Sequence, residues 1–441
     1  MPSTLAGRLE GKIIMKRSTI IYTLLFLVCL GMSWGADSPA GKYKFSVAER
    51  FRFVSWDNAI NLDDAGTDAF AFTRHRTNLT FQWLPAAGME VNAKLTNEFR
   101  NYMAPKDRDF EIHELFVDNL YFKWADLAGI PLTLTLGRQN IMLGEGFVVM
   151  DGHPLDGSRS IYFNAARADY RFGSDAVMTA FVSYVPDVDN ILPVINDQGQ
   201  ALIEQPERGM GLYFTKMFQK AKAEAYFIRK DTESTEARPI ESGINTFGAR
   251  ITVPLVTNLS FCGEGAYQSG SYGDFDRAAF GGYFHLDYSF SDSVPLFKTL
   301  TVGGIALSGD NPETERHEGW DPLFSRWPKW SESYIYTLIR EKGVANWSNL
   351  NSLYAGLIFT FSPAVDLKVT QHFLGAFQEA NEVFPGGSGL NRGSLLIGRL
   401  NFKIDEHLGG HLVWEHFNPG NYYFSGADGF NWLRFELMLK F

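Results

Sequence analysis

The sequence predicts an all-β fold: a transmembrane antiparallel up-and-down β-barrel of about 18 strands, with short periplasmic turns and long extracellular loops. Three observations support this fold class. Apolar and polar residues alternate with a period of two in one segment after another, short and long connections alternate between the segments, and the sequence ends on such a segment, GFNWLRFELMLKF. A period of two is typical of a strand with two different faces. A barrel with an even number of strands collects its turns at one end and its long loops at the other.

The composition argues against two other classes of protein. Aromatic side chains make up 15 % of the 441 residues, and the formal net charge is −10. An acidic chain is not expected to bind nucleic acid, because the phosphate backbone attracts basic surfaces. Beyond the N-terminal region no run of about eighteen apolar residues occurs, which argues against membrane-spanning helices. A barrel remains compatible, since alternation hides its lipid-facing residues from averages along the chain.

The N-terminus has the features of an export signal. Two basic residues at 16–17 precede an apolar run at 20–32, and small residues follow, so cleavage is expected after Gly35. Residues 1–35 are therefore interpreted as an upstream extension plus a cleaved signal peptide. Residues 36–441 are interpreted as a single outer-membrane β-barrel domain. One cysteine remains in that domain, so no internal disulfide is expected.

Eighteen segments of the predicted domain have the strand pattern. The clearest is MEVNAKLTNEFR, residues 89–100, in which apolar side chains share one parity and most polar side chains share the other. The segments are 43–57, 70–84, 89–103, 111–124, 132–144, 159–173, 176–187, 209–218, 221–231, 244–254, 259–270, 276–290, 296–310, 348–363, 365–378, 393–405, 408–420 and 429–441.

The connections between these segments sort by length. The short ones, expected at the periplasmic end, are 85–88, 174–175, 219–220, 255–258, 291–295, 364 and 406–407. The long ones, expected outside, are 58–69, 145–158, 188–208, 232–243, 311–347 and 379–392, while 125–131 and 271–275 are intermediate. The 311–347 connection is long enough to need structure of its own. Its four tryptophans fit either an inward constriction or an outward lip that binds sugars.

Two stretches are more specific than alternation. GRQNIMLGEGFVVMDGHPLDGSRSIYFNAARADYRFG spans 137–173, and WEHFNPGNYYF spans 414–424. Together with the strand pattern, they resemble the alginate-export family of outer-membrane channels. The resemblance implies an eighteen-stranded barrel that passes an anionic polysaccharide through a lumen lined with arginines.

The resemblance also implies site residues. Arg138 in GRQ and Arg159 in DGSR correspond to selectivity arginines, and Asp151 and Asp156 flank the same loop. Parity from the preceding leucines would turn Arg138 toward lipid, where a charge at the bilayer mid-plane costs roughly 2–4 kcal/mol. Either a bulge at Gly137 resets the register, or Arg138 lies at the polar rim.

Parity alone assigns a set of charged side chains to the lumen. The basic ones are Arg50, Arg52, Arg74, Arg76, Lys94, Arg100, Arg167, Arg171, Lys222, Arg250, Lys368, Arg399, Lys403, Arg434 and Lys440. The acidic ones are Glu90, Glu98, Asp169, Glu224, Glu264, Asp287, Asp366 and Glu436. The excess of basic residues predicts a weak preference for anions. The alternative is that these bases pair with the acids and brace the wall.

We therefore expect a channel that gives passive passage to anionic sugars, oligosaccharides or small organic anions, and not an enzyme. The alternatives are a structural or partner-plugged barrel in an export or envelope complex and, less favoured, an outer-membrane hydrolase. No catalytic or metal-binding set is predicted, because the spacing of HLVWEH at 411–416 does not match the zinc-protease motifs. No cofactor is expected. Ca²⁺ bound by Asp107 and Asp109, or by Asp151 and Asp156, is the alternative.

The expected partners follow from the fold class. They are membrane lipid and lipopolysaccharide, the outer-membrane insertion machinery, a periplasmic export partner and a small anionic or saccharide solute, without nucleic acid. Phe441 resembles the terminal signal of bacterial outer-membrane barrels, which their insertion machinery reads. The expected location is the outer membrane of a Gram-negative cell.

Overall fold

The computed structural model describes residues 43–66, 68–105, 111–151, 160–291, 293–325, 329–342, 347–379 and 387–441. It is a closed antiparallel barrel whose wall has the predicted number of strands, 18. We number the wall strands β1 (Tyr43–Trp56), β2 (Phe70–Trp83), β3 (Met89–Ala104), β4 (Glu111–Trp124), β5 (Leu132–Gln139), β6 (Phe163–Phe172), β7 (Ala176–Val185), β8 (Glu207–Met217), β9 (Lys222–Thr232), β10 (Ser242–Val256), β11 (Leu259–Tyr272), β12 (Phe275–Ser289), β13 (Phe297–Leu307), β14 (Leu350–Ser362), β15 (Val365–Gly375), β16 (Asn391–Lys403), β17 (Leu408–Pro419) and β18 (Phe430–Lys440).

The barrel closes by pairing its first wall strand with its last. β1 and β18 are antiparallel in a register that runs from Ala48 opposite Lys440 to Trp56 opposite Trp432. Just beyond β18, the backbone N–H of Phe441 donates to the carbonyl oxygen of Val47 at 2.8 Å. Because these two strands pair, neither terminal strand of the wall leaves a free edge along the paired residues, and the backbone groups there are satisfied within the sheet.

The predicted strand positions agree with the wall strands to within a few residues, and the differences have local causes. The segment predicted at 132–144 leaves the wall after Gln139, because the chain turns there into the barrel. The connection predicted at 271–275 is reduced to two residues, since β11 and β12 both extend to it. Gly273, with φ of 56°, supplies the left-handed conformation that such a tight turn favours.

Side chains of the wall alternate between two faces. On β15, Phe373 is 64 % exposed while its neighbour His372 is buried, and on β10 the exposed Phe247 follows the buried Thr246. Exposed aromatic and aliphatic side chains cover the outer face, as expected of a surface in contact with lipid, and polar and charged groups point inward.

Three connections at the long-loop end have described residues that are buried inside the barrel, and we call these connections the inward segments: 140–162, 186–206 and 308–349, of which 152–159, 326–328 and 343–346 lie outside the described residues. Val149 of the first and Phe324 of the third form a parallel bridge and are fully buried. In the second, Asp189, Leu202 and Ile203 are buried, while Val194–Ile195 extends the wall sheet beside β4. The apolar core of this protein therefore lies inside the barrel.

The 308–349 segment includes a nine-residue helix, α1 (Tyr334–Lys342). The Thr337 hydroxyl donates to the carbonyl oxygen of Ala59 at 2.6 Å, and the ring of Tyr336 stacks on Trp56 with 4.8 Å between centroids. Of the two arrangements that the sequence allows for this connection, the inward one is present. Within the described residues, no helix is both long enough and apolar enough to cross a bilayer.

Candidate functional site

A cavity of about 400 Å³ lies inside the barrel between one side of the wall and the inward segments. Strands β12 to β17 form its wall side, and the 140–162 and 308–349 segments form the other side. The lining residues are Glu145, Tyr283, His285, Asp287, Thr301, Lys329, Trp330, Ser331, Glu332, Tyr354, Lys368, Thr370, His372, Ile397, Arg399, Val413 and Glu415.

Two of the cavity carboxylates hold the 308–349 segment to the wall. Glu332 of the segment accepts a hydrogen bond from Arg434 Nη2 at 2.6 Å. Glu415 of β17 accepts the backbone N–H groups of Glu332 and Ser333 at 2.8 and 3.1 Å. Burial alone would raise the pKa of Glu332, but the Arg434 guanidinium outweighs it and holds this pKa below its ordinary value. Glu332 is therefore ionised and paired at neutral pH.

The other two cavity carboxylates also have close partners. Asp287 Oδ2 lies 2.6 Å from His285 Nδ1, and Asp287 Oδ1 accepts the Thr301 hydroxyl at 2.6 Å. Glu145 accepts Arg250 Nη2 at 2.6 Å, and Lys329 donates to the Glu145 carbonyl at 2.9 Å. The acidic groups of the cavity are thus engaged with neighbouring protein groups.

Two basic residues of the cavity have no oppositely charged partner at ion-pair distance among the described residues. Lys368 of β15 and Arg399 of β16 are directly opposite each other in the sheet. Arg399 Nε donates to Asn401 Oδ1 at 2.8 Å, and Lys368 is exposed. Within the described part of the chain, neither has a carboxylate at ion-pair distance. Their charge is available to a solute in the cavity.

The predicted lumen arginines of β1 to β3 form a buried cluster. Glu98 lies 3.5 Å from Arg50, 3.4 Å from Arg74 and 3.6 Å from Arg76. The exposed fraction of these three guanidinium side chains is below one tenth, and Arg100 adjoins them as the cross-strand partner of Arg74. Like charges on neighbouring strands repel. The shared carboxylate makes this cluster a brace of the wall.

A second brace joins β3 to β4. Lys94 is paired with Asp118, whose side chain is fully buried and lies 3.6 Å from Arg76. Near the short-turn end, Glu90 accepts the Tyr121 hydroxyl at 2.9 Å. Parity along β4 did not indicate Asp118, because the register between β3 and β4 shifts at two bulges.

Arg138 points into the barrel because the backbone changes course at Gly137. This glycine has φ of 118°, and a Cβ there would lie 2.3 Å from the Leu120 carbonyl oxygen. The pairing of β5 with β4 and with β6 continues through Gly137 without a register shift, so the positive φ of this one residue, and not the bulge that was one of the two expected alternatives, accompanies the inward turn of Arg138. Arg138 donates to both carboxylate oxygens of Asp189 at 3.0 and 2.8 Å, and its guanidinium lies 3.8 Å from the centroid of the Tyr162 ring.

The remaining predicted site residues are distributed over the wall. Arg167 pairs with Asp169 at 3.0 Å, and Arg171 pairs with Asp126 at the exposed rim. Arg250 bridges Glu145 and Glu224. The backbone of Asp151 belongs to a short strand, Met150–Asp151, in the 140–162 segment. Asp107, Asp109, Asp156 and Arg159 lie outside the described residues.

Several residues that make up this site were not indicated by the sequence pattern. Asp189, Glu332 and Ser333 lie in connections, where no period assigns a direction to a side chain. Glu145 is in the resembling stretch, but its contacts to β10, β11 and β12 depend on how that segment enters the barrel.

The comparisons with known proteins agree with the barrel. A family model described as Alginate export matches residues 43–428. No curated protein sequence matches the chain.

Among solved structures, OpdK of Pseudomonas aeruginosa with vanillate has a TM-score of 0.59 at 10 % identity, covering 91 % of this chain and 100 % of that one. OccAB4 of Acinetobacter baumannii has a TM-score of 0.58 at 10 % identity, covering 92 % and 100 %. OpdQ of P. aeruginosa has a TM-score of 0.59 at 12 % identity, covering 91 % and 99 %. These likenesses concern the fold.

Proposed function

The chain belongs to the alginate-export family, and we propose that it gives anionic sugars, oligosaccharides or small organic anions a passive path across the outer membrane. The family and the closed barrel make it an integral outer-membrane channel of porin type rather than an enzyme. We infer in addition that the solute is anionic and that basic residues of the cavity contact it.

The observation that carries the proposal is the contrast between bases and acids in the cavity. Lys368 and Arg399 face it side by side without a carboxylate partner among the described residues, whereas its four carboxylates are held by neighbouring groups. A paired carboxylate attracts a passing cation weakly, because its charge is already compensated. A base without a carboxylate at ion-pair distance attracts a passing anion more strongly than a paired base does.

Passage requires that this attraction be moderate. Two basic groups can replace part of the hydration shell of a carboxylate or sulfate, and a wet lumen lets water replace them again. The buried arginine cluster of β1 to β3 adds positive potential to the lumen. Its three guanidinium groups, those of Arg50, Arg74 and Arg76, share the single carboxylate of Glu98. Direct contact with solute falls to Lys368 and Arg399.

The test is a planar-bilayer measurement of reversal potential under a KCl gradient. The wild-type channel is expected to prefer chloride over potassium. Lys368→Ala combined with Arg399→Ala should reduce or reverse this preference, because the lysine and the arginine that line the cavity without a carboxylate at ion-pair distance in the described residues are lost. A dicarboxylate added to one side should compete with chloride in the wild-type channel, and this competition should weaken in the double variant together with the preference for chloride.

The matched control also removes two basic residues, but from the exposed long-loop end. Arg208 and Arg238 pair with Glu233 and Glu204 and do not line the cavity. Arg208→Ala with Arg238→Ala should leave the reversal potential unchanged. Cation preference of the wild-type protein would overturn the proposal, as would an equal effect of the two double variants.

A second candidate, a structural or partner-plugged barrel, is favoured by the inward segments. They bury Trp320, Phe324 and Tyr334 inside the barrel and leave a cavity of about 400 Å³ beside them. A protein of this kind would show no conductance by itself and would conduct after the 308–349 segment is removed. A periplasmic export partner would then open the path.

We also propose that Phe441 is recognised by the insertion machinery, together with lipid and lipopolysaccharide as the surroundings of the inserted barrel. Phe441 completes the seam next to Val47 and is partly exposed at the short-turn end. Phe441→Ala should reduce the amount of barrel in the outer membrane, while Phe361→Ala, an exposed Phe elsewhere on the wall, should not.

A further inference from the structure

Three potential metal-ligand atoms converge beside the cavity. Glu145 Oε1 lies 3.4 Å from Cys262 Sγ and 3.5 Å from His285 Nε2, and the three ligand atoms are all within 4.8 Å of one another. Cys262 of β11 and His285 of β12 are directly opposite each other in the wall. Glu145 comes from the 140–162 segment, 117 positions from Cys262 in the chain. No local spacing motif predicts such a set.

These separations match those between ligands of one tetrahedral ion. Zinc bonds of about 2.3 Å to sulfur and about 2.0–2.1 Å to nitrogen or oxygen place neighbouring ligand atoms about 3.4–3.5 Å apart. The two distances from Glu145 Oε1 are 3.4 and 3.5 Å, so these pairs of ligand atoms are already spaced for one ion. A fourth position would be open to water or a solute carboxylate.

His285 is also held as a metal-binding histidine usually is. Its Nδ1 lies 2.6 Å from Asp287 Oδ2, while Asp287 Oδ1 accepts the hydroxyl of Thr301 at 2.6 Å. A carboxylate at Nδ1 favours the tautomer that protonates Nδ1 and leaves the lone pair of Nε2 directed at Glu145 and Cys262. This relay fixes the ring before any ion arrives.

The charges around the three ligands can accommodate a dication. The carboxylates of Glu145, Asp287, Glu224 and Glu264 face the cationic side chains Arg250, Lys329 and Lys222. Arg250 now donates to Glu145 Oε1 at 2.6 Å and would have to withdraw from it, but it retains its contact with Glu224. Binding converts the Cys262 thiol into a metal thiolate, and the displaced proton leaves to solvent.

We propose that Glu145, Cys262 and His285 bind Zn²⁺ or another borderline-soft divalent cation, and that the ion fixes the 140–162 segment against the wall. The thiolate and imidazole exclude Ca²⁺ and Mg²⁺, which take oxygen ligands. Because Glu145 and His285 also line the cavity, occupancy restricts the lumen. The channel would then respond to the metal outside the cell.

The test uses Co²⁺ with the whole purified barrel under reducing conditions, since Co²⁺ reports its ligands by absorption. Wild-type protein should bind one Co²⁺ with a thiolate-to-metal charge-transfer band, and Zn²⁺ should displace it. Cys262→Ser should abolish the band, and Glu145→Gln and His285→Ala should each weaken binding at least tenfold. Retention of the folded, heat-modifiable form on gels checks that each variant is a barrel.

The matched control is another histidine beside a carboxylate, without a cysteine. His317 Nδ1 lies 2.9 Å from Asp310 Oδ1, and His317→Ala should leave Co²⁺ binding unchanged. Absence of the band, or binding equal in wild type and Cys262→Ser, would overturn the site. In bilayers, Zn²⁺ should reduce the conductance of wild type and not of Cys262→Ser. Because the absorption readout does not require conductance, it remains decisive even for a plugged barrel.

Discussion

Arg138 of β5 and Asp189 of the 186–206 segment form a two-pronged ion pair, with N–O distances of 2.8 and 3.0 Å, inside the barrel. Both residues are almost fully buried. The pair joins the wall to an inward segment, and Tyr162 packs on the guanidinium. The charges of this pair therefore stabilise the structure of the barrel first, and any effect on a solute is secondary.

Removing one partner of this pair should destabilise the barrel strongly. Asp189→Asn leaves the Arg138 guanidinium buried without a counter-charge, which typically costs about 3–5 kcal/mol. We expect that loss in urea unfolding of the protein in lipid vesicles, with faster proteolysis in 186–206. The control is Asp126→Asn, whose partner Arg171 is at the exposed rim, where an ion pair contributes about 0–1 kcal/mol. Equal losses in the two variants would contradict the bracing role.

The backbone conformation at Gly137, where Arg138 turns inward, should tolerate no side chain. Gly137→Ala introduces both an unfavourable positive φ, about 1–3 kcal/mol, and a Cβ 2.3 Å from the Leu120 carbonyl oxygen. Gly129→Ala shares the positive φ, 82°, but its Cβ meets nothing within 4 Å. In the same unfolding assay, the Gly137 variant should lose more free energy of unfolding than the Gly129 variant. Similar losses would show that the close approach at Gly137 is unimportant.

The inward position of the 308–349 segment should depend on a glycine of the wall. A Cβ at Gly281 of β12 would lie 2.5 Å from the Trp320 ring, so Gly281→Val is expected to displace the segment and raise single-channel conductance. At Gly265 of β11, nothing lies within 4 Å of the added Cβ. Gly265→Ala should therefore conduct as wild type does. Unchanged conductance of Gly281→Val would mean that the segment does not limit the path.

Acid should release the 308–349 segment only at pH values below the ordinary pKa range of carboxyl groups. Burial raises the pKa of Glu332 and Asp321, but Arg434 and Lys230 outweigh it, and both pKa values are lowered. A carboxyl with a lowered folded-state pKa stabilises fully above its unfolded pKa, and this contribution is lost as pH falls through the folded value.

Conductance is therefore expected to be constant from about pH 8 to pH 5 and to rise below about pH 4. The charged groups that face Glu332 also include Arg52, Arg399 and Glu415. Glu332→Gln should conduct more than wild type at pH 7 and lose part of the acid response. A rise in wild-type conductance already between pH 8 and pH 5 would assign the release to other groups.

Much of the wall could be predicted from the sequence, and the reason is local. Strand positions depend on a period of two and on turn residues, both of which involve neighbours along the chain. β3 and β4 illustrate the limit of this local reasoning. The bulges that bring Asp118 beside Lys94 change the register between the two strands, but they leave the alternation of β3 unchanged.

The contents of the lumen could not be predicted in the same way. Parity assigns Arg74 and Arg76 to the inner face, but it does not say whether water or protein covers them. They are buried because Glu98 lies between them and because two residues from distant connections lie beside them, Ser160 next to Arg76 and Tyr336 next to Arg74. Lys368 has the same parity and remains exposed. The difference arises from contacts across hundreds of residues, which no sequence window contains.

The seam between β1 and β18 has a consequence for biogenesis. The two strands that seal the wall are the first and the last of its strands in chain order, so one edge of Tyr43–Trp56 has no partner until Phe430–Lys440 is present. Until then, two rows of amide groups would face hydrocarbon if the sheet entered the bilayer, and hydrocarbon offers them no hydrogen bonds. The closed form that a bilayer requires is therefore complete only when β1 and β18 have paired, and a chain lacking either strand would leave a row of amide groups without partners.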